Sequence, residues 1–443
     1  MDVELLSRIQ FAVTVGFHFL YPPISIGLGL VLVFFEGLYI KTKDKKYEQL
    51  TKFWLKIFAL VFGMGVATGI VMEFEFGTNW AGYSRYVGDV FGSPLAAEAI
   101  FAFFLESTFL AILIFGWNKV KPKTHFISTI LVALGAHLSA FWIIVANSWM
   151  QTPAGFKLVG EGLAQRAEIY DFWAMVFNPS TLDRYFHTLS ASWVTGAALV
   201  VSISAYYLLK KKHKTVSMTS LKVSLVLFII ASFTQLATGH SNAIMVANNQ
   251  PAKLAAFEGH YETGPADFYL IGWVNVEEQT VSGIALPNFL SFLVDFNFTT
   301  PIKGLEEFPP EDRPNVQVVF QTYHIMVACG MLFIAISLIS IYLWYKKQLD
   351  KYKWYLTALV PLFIFPHIAN QTGWIAAEVG RQPWIVYGIL RTKDALSPNV
   401  QSSEVWFSLI LFTLIYLFML IMFIYILIKI IKKGPEEVSG VSY

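Results

Sequence analysis

Apolar positions in this chain gather into nine long runs, with the polar and charged residues between them. The runs lie near residues 10–39, 53–73, 95–117, 125–149, 187–209, 221–245, 317–344, 354–377 and 405–430. A helix needs about 20 apolar residues to cross the hydrocarbon core of a bilayer. The pattern therefore predicts an all-α polytopic membrane protein with nine transmembrane helices, the first of which should kink at Pro22 and Pro23.

The basic residues predict how these helices are oriented. Five short connections, at residues 41–52, 118–123, 210–214, 346–353 and 429–433, hold 19 of the 32 Lys and Arg residues. Cytoplasmic connections carry such an excess of basic residues. We therefore expect the N-terminus outside and the C-terminus in the cytoplasm. The chain then divides into helices one to six in 1–245, an extracytoplasmic loop in 246–316, and helices seven to nine in 317–443.

Composition agrees with a membrane protein and excludes some kinds of site. Hydrophobic residues make up 56% of the chain and charged residues 14%, whereas a soluble domain has about 25% charged residues. The single cysteine, Cys329, lies in an apolar run, which excludes disulfides, thiolate clusters and c-type haem attachment. The first residues, MDVELLSR, lack the features of a signal peptide, so the first apolar run should remain in the mature protein.

One segment, GWIAAEVGRQPW at residues 373–384, carries an acid and a guanidinium at the end of an apolar run. On a helix, Trp374, Glu378 and Arg381 are spaced i, i+4 and i+7 and so share one face. Pro383 should end that helix. Ionisable side chains at membrane depth usually mark a functional site, but the same pair could simply fix the end of the helix.

The nine histidines show no spacing typical of a copper or zinc site, so a haem-copper oxidase has no visible metal ligands here. Haem requires only one or two axial ligands from facing helices. His18, His187, Met326 and Glu378 are candidates, because the predicted topology places all four near the outer surface. Each could instead be a packing residue. Spacing alone also leaves three other histidines as candidates, namely His137, His240 and His367.

Two further pairs of ionisable residues stand out. Glu98 and Glu106 lie eight residues apart in the third run, about 12 Å along a helix, which suggests either a proton relay or acids hydrogen-bonded between helices. Lys253 and Glu258 in the long loop would point about 140° apart on a helix, which a short solvated helix would also explain. Glu73 and Glu75 close the second run at the outside, where both could simply be solvated.

The motifs together identify a resemblance. The segments RIQFAVTVGFHFLYPP, TKFWLKIFALVFGMGVATGIVMEFEFGTNW, GSPLAAEAIFAFFLESTF, HTLSASWVTGA, KLAAFE, MVACG and GWIAAEVGRQPW are long and specific. With them, the chain resembles subunit I of the bd-type quinol oxidases over nearly its whole length. The resemblance implies a terminal respiratory oxidase that oxidises membrane quinol at the outer face and reduces oxygen to water.

The resemblance also implies the cofactors and their ligands. His187 and Met326 would bind a low-spin haem b. His18 and Glu378 would serve the two haems of the oxygen site, a high-spin haem b and a haem d or a further haem b in its place. Trp374 is similar to the aromatic residue between the low-spin and high-spin haems.

Further roles follow from the same resemblance. Lys253 and Glu258 would act in quinol binding, and Glu98 and Glu106 in proton delivery. A second membrane subunit, and a small single-span subunit, would be partners. Turnover would generate a membrane potential without pumping protons.

Two features depart from many members of the family. The outer loop is short, and His324 occupies the position two residues before Met326 where many members have Arg. A His is only partly charged near neutral pH, so the sequence does not determine the redox potential of the low-spin haem. Two other hypotheses compete: a transporter without a redox cofactor, and a haem-bearing electron carrier without oxygen chemistry. A visible spectrum and oxygen uptake with reduced quinol would distinguish them.

Overall fold

The computed structural model describes residues 2–436, apart from the side chain of Leu163, and residues 437–443 of the predicted third part lie outside that range. The first half contains, in order, α1 (Val3–His18), α2 (Pro22–Thr42), α3 (Lys45–Thr78), α4 (Ala81–Glu98), α5 (Phe104–Phe115), α6 (Pro122–Gln151), β1 (Phe156–Val159), β2 (Arg166–Ile169), α7 (Phe172–Val176) and α8 (Thr181–Leu209). The second half contains α9 (Lys214–Asn249), α10 (Pro251–Glu258), β3 (Phe268–Asn275), β4 (Thr280–Leu286), α11 (Phe289–Asp295), α12 (Val316–Tyr345), α13 (Lys353–Leu359), α14 (Ile364–Val379), β5 (Trp384–Val386), β6 (Leu390–Arg391) and α15 (Ser402–Lys433). The predicted helical membrane class is confirmed, and the six short strands form three antiparallel hairpins in the loops.

Eight segments of the described chain are long and apolar enough to cross a membrane. The predicted span at 354–377 is absent from that set because it is interrupted. α13 ends before Pro361 and α14 begins after it, and the amide of Phe363 in the break donates to Ser202 Oγ at 3.0 Å. Proline disfavours a helical conformation in the residue before it, which explains the interruption.

The predicted kink in the first span is present. α1 ends at His18 and α2 begins at Pro22. Farther along, α2 crosses α8 with the two backbones in contact. A Cβ atom on Gly27 would lie 2.3 Å from the carbonyl oxygen of Ser192, and one on Gly196 would lie 2.4 Å from the carbonyl carbon of Gly27. Only glycine fits at this crossing.

The five basic connections converge on one face of the molecule, which we call the basic face. Glu48 at the start of α3 accepts a hydrogen bond from Trp117 Nε1 at 3.1 Å. Gln49 bonds the carbonyl oxygen of Pro435 at 3.2 Å, and Lys214 approaches Asp350 at 3.9 Å. The charge excess therefore forms a single surface, and its assignment to the cytoplasm remains the prediction made from the sequence.

The two long loops fold onto the opposite face, which we call the loop face. The segment between α9 and α12 contains α10, the β3–β4 hairpin and α11. α10 is buried along its length, with Lys253 and Glu258 only 3% and 1% exposed. The alternative of a short solvated helix is therefore wrong, because α10 packs between α9, α12 and the folded loop.

Candidate functional site

Glu378, at the C-terminal end of α14, is the centre of a buried polar cluster on the loop face. Its Oε2 accepts from Arg381 Nη2 at 2.6 Å. Its Oε1 accepts from Asn147 Nδ2 and from Gln151 Nε2, both at 3.2 Å. The helix ends at Val379, so Arg381 reaches back from the turn that follows. The expected pairing of Glu378 and Arg381 is present in the structure.

Two more cations complete this cluster. Arg184 Nη2, from the first turn of α8, lies 4.0 Å from Glu378 Oε1 and donates to Asn147 Oδ1 at 2.5 Å. Lys253 Nζ donates to Gln151 Oε1 at 2.5 Å and to Gln250 Oε1 at 2.7 Å. Sequence reasoning missed Arg184, Asn147 and Gln151. Arg184 carried a usable signal, since it is a lone cation three residues before His187.

The cluster has more positive than negative charge. Glu378 is the one carboxylate among these residues, and the two guanidinium groups of Arg184 and Arg381 exceed its charge even without the amine of Lys253. The Nε and Nη1 atoms of Arg381 are buried and have no hydrogen-bond partner, and Arg381 is only 4% exposed. Leaving such donors unpaired is costly. The cluster therefore fits a bound group that carries anionic oxygens, as the propionates of a haem do.

His187 and Met326 come from a group of four packed helices, α8, α9, α12 and α14. His187 faces α9, where its Nε2 lies 3.0 Å from Gln235 Nε2 and its Nδ1 lies 3.3 Å from Thr238 Oγ1. Met326 faces α14, and a Cβ atom on Gly373 would lie 2.6 Å from its Sδ. These two side chains fit the predicted haem ligands because they project inside one bundle.

Each of the three His and Met candidates faces a glycine on a neighbouring helix. Gly69 lies opposite His18, and Gly239 lies opposite His187: Cβ atoms there would be 3.3 and 3.4 Å from the respective Cε1 atoms. Glycine removes side-chain bulk where a flat group must approach a helix closely. These positions fit the binding of planar macrocycles.

His18 closes α1, and its Nδ1 lies 2.9 Å from Thr68 Oγ1 of α3. The helix of Glu378 is tied to the helix of His18, because Gln371 Nε2 donates to the carbonyl oxygen of Gly16 at 2.8 Å. A fixed ring nitrogen on one side leaves the other nitrogen of His18 to bind a metal. Trp374 follows Gly373 on α14 and is half-buried.

Glu98 and Glu106 both face α6. Glu98 Oε1 accepts from Ser139 Oγ at 2.7 Å. Glu106 is buried, and its Cβ would lie 3.0 Å from a Cβ atom on Gly135. A five-residue π-helix, Ala99–Phe103, separates the two acids. Such a π-helical turn often marks a functional site.

Glu75 is not solvated, contrary to the expectation from its place at the end of a run. It is 2% exposed and accepts from Thr14 Oγ1 at 2.6 Å. The difference arises because α3 continues to Thr78, which keeps Glu75 inside the contact of α1 and α3.

Lys253 and Glu258 lie on different sides of α10, as their spacing predicts. Lys253 belongs to the Glu378 cluster, whereas Glu258 Oε2 lies 3.5 Å from His324 Nε2 and accepts from the amide of Tyr269 at 2.9 Å. Glu258 Oε1 is buried and has no partner.

Burial shifts the pKa of both side chains of α10. It lowers the pKa of Lys253 well below the usual value, and the nearby Arg184 lowers it further. Burial raises the pKa of Glu258, against the opposing effect of the hydrogen bond to His324. Each shift favours the neutral form of its group.

The three histidines that spacing left open have different surroundings. His137 is held by the carbonyl oxygen of Ala133 at 2.6 Å and by Trp193 Nε1 at 3.1 Å, which suits a packing residue. His240 stacks edge-on against Phe296. His367 Nδ1 is buried without a partner. Within residues 2–436, no group of three His, Cys, Asp or Glu side chains could hold a metal ion.

Comparison with known proteins shows the family of this chain. Residues 6–435 match the family model of cytochrome bd terminal oxidase subunit I. The chain is 38% identical to cytochrome bd ubiquinol oxidase subunit 1 of Bacillus subtilis, over 98% of this chain and 95% of that protein. It is 35% identical to cytochrome bd-II ubiquinol oxidase subunit 1 of Escherichia coli, over 98% and 97% of the two chains.

The fold is also similar to a solved structure. The bd oxidase from Geobacillus thermodenitrificans superposes with a TM-score of 0.92 at 29% sequence identity. The match covers 98% of this chain and 99% of the Geobacillus chain. The matched family consists of cytochromes, whose cofactor is haem, and the residues described above fit that cofactor. The chain therefore belongs to the cytochrome bd terminal oxidase subunit I family and is a multi-pass haem protein of the bacterial cytoplasmic membrane.

Proposed function

We propose that this quinol oxidase subunit oxidises a membrane quinol on its loop face and reduces oxygen to water at a pair of haems near the same face. The observation that carries the proposal is the Glu378 cluster, in which one carboxylate lies between the guanidinium groups of Arg184 and Arg381 and close to the buried amine of Lys253. A buried excess of positive charge is stable only when anionic groups complete it. When bound, the haems would supply the electron transfer from quinol to oxygen.

The proposed ligands are those that project into the helix bundle. His187 and Met326 hold a low-spin haem b. His18 and Glu378 hold the two haems of the oxygen site, a high-spin haem b and either haem d or another haem b. Arg381 donates to Glu378, which keeps the carboxylate ionised and oriented for its ligand role.

The proposed quinol site lies at α10. The support for Glu258 is its buried Oε1, which has no partner and can accept the proton of a quinol hydroxyl. Lys253, on the other side of the same helix, connects α10 to the Glu378 cluster through Gln151. We propose that Lys253 takes part in quinol binding from that position, as part of α10.

These positions determine on which side of the membrane protons are released and taken up. Quinol oxidation at the loop face releases protons outside. Protons for water formation enter from the basic face, which we assign to the cytoplasm, and pass Glu106 and Glu98. This separates charge without a pump. The subunit assembles with a second membrane subunit, and we propose a small single-span subunit as a further partner.

The test is a visible spectrum of the purified enzyme combined with oxygen uptake on reduced quinol. Pyridine haemochrome analysis distinguishes haem d from a further haem b. Haem bands together with quinol-dependent oxygen uptake are the expected result. Haem bands without oxygen uptake would instead indicate an electron carrier, and a spectrum without a Soret band would refute the proposal altogether.

A further inference from the structure

A buried acid–histidine pair lies near the basic face, far from the Glu378 cluster, and the proposed function does not use it. Glu36 of α2 and His125 of α6 are only 1% and 2% exposed. Glu36 Oε1 lies 2.7 Å from His125 Nδ1, and Glu36 Oε2 accepts from Thr129 Oγ1 at 2.5 Å. Burying a carboxyl and an imidazole together is costly, so this pair calls for an explanation.

The contacts of His125 fit a pair that shares one proton. Its Nε2 lies 3.1 Å from the carbonyl oxygen of Leu113, and its Nδ1 faces Glu36. A neutral imidazole has a single N–H. Both contacts are therefore hydrogen bonds only if His125 carries two protons, or if the carboxyl of Glu36 carries one. In either form the pair holds one proton more than a carboxylate and a neutral histidine would.

The pair is connected to the basic face. The ring of Trp117 packs edge-on against His125 with centroids 4.7 Å apart, and Trp117 Nε1 donates to Glu48 Oε1 at 3.1 Å. Glu48 in turn is paired with Lys52 at 2.6 Å and with Lys45 at 3.4 Å. The side chains of Lys45 and Lys52 are partly exposed, at 43% and 36%. One indole ring thus separates the buried pair from charged groups at the surface.

The pair also contacts α6, the helix that Glu98 and Glu106 face. Glu36 bonds to Thr129, Glu106 packs on Gly135, and Glu98 bonds to Ser139. At 1.5 Å per residue, these contact points lie about 9 Å and then about 6 Å apart along α6. Three carboxyl groups therefore contact α6 at successive heights from the basic face toward the loop face, with Thr129 and Gly135 about 120° apart around the helix axis.

We propose that Glu36 and His125 form a proton-loading site at the cytoplasmic end of a route that runs along α6 to Glu106 and Glu98. The pair gives one proton to Glu106 through intervening water and regains one proton from the basic face. Proton and charge balance are unchanged over the cycle. The proposal rests on the direction of proton entry in the proposed function.

Glu36→Gln is the informative variant. The amide oxygen can still accept from Thr129, and the amide nitrogen can donate to His125 Nδ1, so each hydrogen bond has a replacement. Only the capacity to share the proton is lost. The matched control is Ser220→Ala. This variant removes a buried hydrogen bond near the same face, the 3.2 Å bond that Trp54 Nε1 donates to Ser220 Oγ, and neither partner of that bond is titratable.

We expect the Glu36→Gln enzyme to keep its haem content and its KM for quinol. We expect its oxygen-reduction rate to fall at least about tenfold, which corresponds to about 1.4 kcal/mol in the barrier. The solvent deuterium isotope effect should rise, and a carboxyl band in the redox-induced infrared difference spectrum should disappear. The Ser220→Ala enzyme should match the wild type in all five measurements.

Proteoliposomes separate failure of this proposal from failure of the proposed function. If wild-type turnover does not make the interior more alkaline, the assumed direction of proton entry is wrong. If the interior becomes alkaline at the same rate in the wild type and in Glu36→Gln, the pair merely joins α2 to α6, and the proton-loading role is refuted. Should Glu36→Gln fail to assemble, Glu36→Asp replaces it, because it keeps a carboxyl and shortens its reach. An unchanged rate and isotope effect in Glu36→Asp would then count against the proposal.

Discussion

Replacing Glu378 by Gln tests whether the charge of this residue or its ligand role matters more. Gln can still accept from Asn147 and Gln151 through its oxygen. Its NH₂ group cannot accept from Arg381, so the guanidinium loses the 2.6 Å bond from Nη2, and its other two nitrogens already have no partner. Arg184 retains the bond to Asn147. The loss therefore falls mainly on Arg381.

The magnitude follows from burial. Arg381 is 4% exposed, and removing one partner of a buried ion pair costs about 3–5 kcal/mol. That is a large part of the stability of a typical domain, which is about 5–15 kcal/mol. We therefore expect Glu378→Gln to lower the thermal stability in detergent clearly, to lose one haem, and to abolish most oxygen reduction.

A double-mutant cycle with Arg381→Met separates the two roles. Met removes the buried cation, so the double variant should regain most of the stability, with a coupling energy of about 2–3 kcal/mol. It should not regain the haem or the oxygen-reducing activity, because the ligand is still absent. Thermal unfolding, haem per polypeptide and oxygen uptake are measured for all four proteins. A double variant as unstable as Glu378→Gln alone would refute the electrostatic reasoning. Full haem content with normal turnover in Glu378→Gln would mean that Glu378 has only a structural role.

Three further predictions concern the other proposed sites. Met326→Leu should convert the low-spin haem signal to a five-coordinate or weakened one. Gly373→Ala should have the same effect, because a Cβ atom at that position would lie 2.6 Å from Met326 Sδ. The control Gly330→Ala places its Cβ atom in open space and should leave the spectrum unchanged. Glu258→Gln should slow quinol oxidation and leave the haem spectra intact. Because burial raises the pKa of Glu258, the wild-type rate should increase as the pH rises through that pKa and the carboxylate becomes available as a base. The variant should lack this pH dependence. Lys253→Met should raise KM or lower kcat in the same assay, and wild-type rates in both α10 variants would mean that this helix does not bind quinol. Proteoliposomes fed with quinol should release about one proton outside per electron, since quinol supplies one proton with each electron; a clearly larger ratio would require a pump, and absence of a potential would mean that protons enter from outside.

Much of the fold was predictable because hydrophobic periodicity and the distribution of basic residues act locally. The exception is the span at 354–377, where α13 and α14 are separate helices. Its sequence did contain the signal, since Pro361 and Pro366 lie within the run. A prediction from apolar composition alone did not take these prolines into account.

The site was predictable only in part. Residues with distinctive chemistry, such as His18 and Glu378, stood out within their own runs. The partners of Glu378 did not, because Asn147 lies 231 positions away in the sequence and ordinary polar side chains carry no sign of what they will face. The burial of α10 was missed for a related reason: its neighbours on α12 and in the β3–β4 hairpin are determined by the tertiary fold.

The contact between Gly27 and Gly196 has a consequence for electron transfer. Gly27 follows His18 by nine residues, and Gly196 follows His187 by nine, so the crossing lies at a similar distance along the chain from both proposed ligands. Two backbones in direct contact cannot move closer, and no long side chain lies between them that could change its rotamer. On the proposed ligand assignment, the crossing would therefore act as a fixed spacer between the haem held by His187 and Met326 and the haem held by His18. Since the rate of electron tunnelling falls steeply with distance, a larger residue at either glycine would slow turnover even though every ligand remained in the protein.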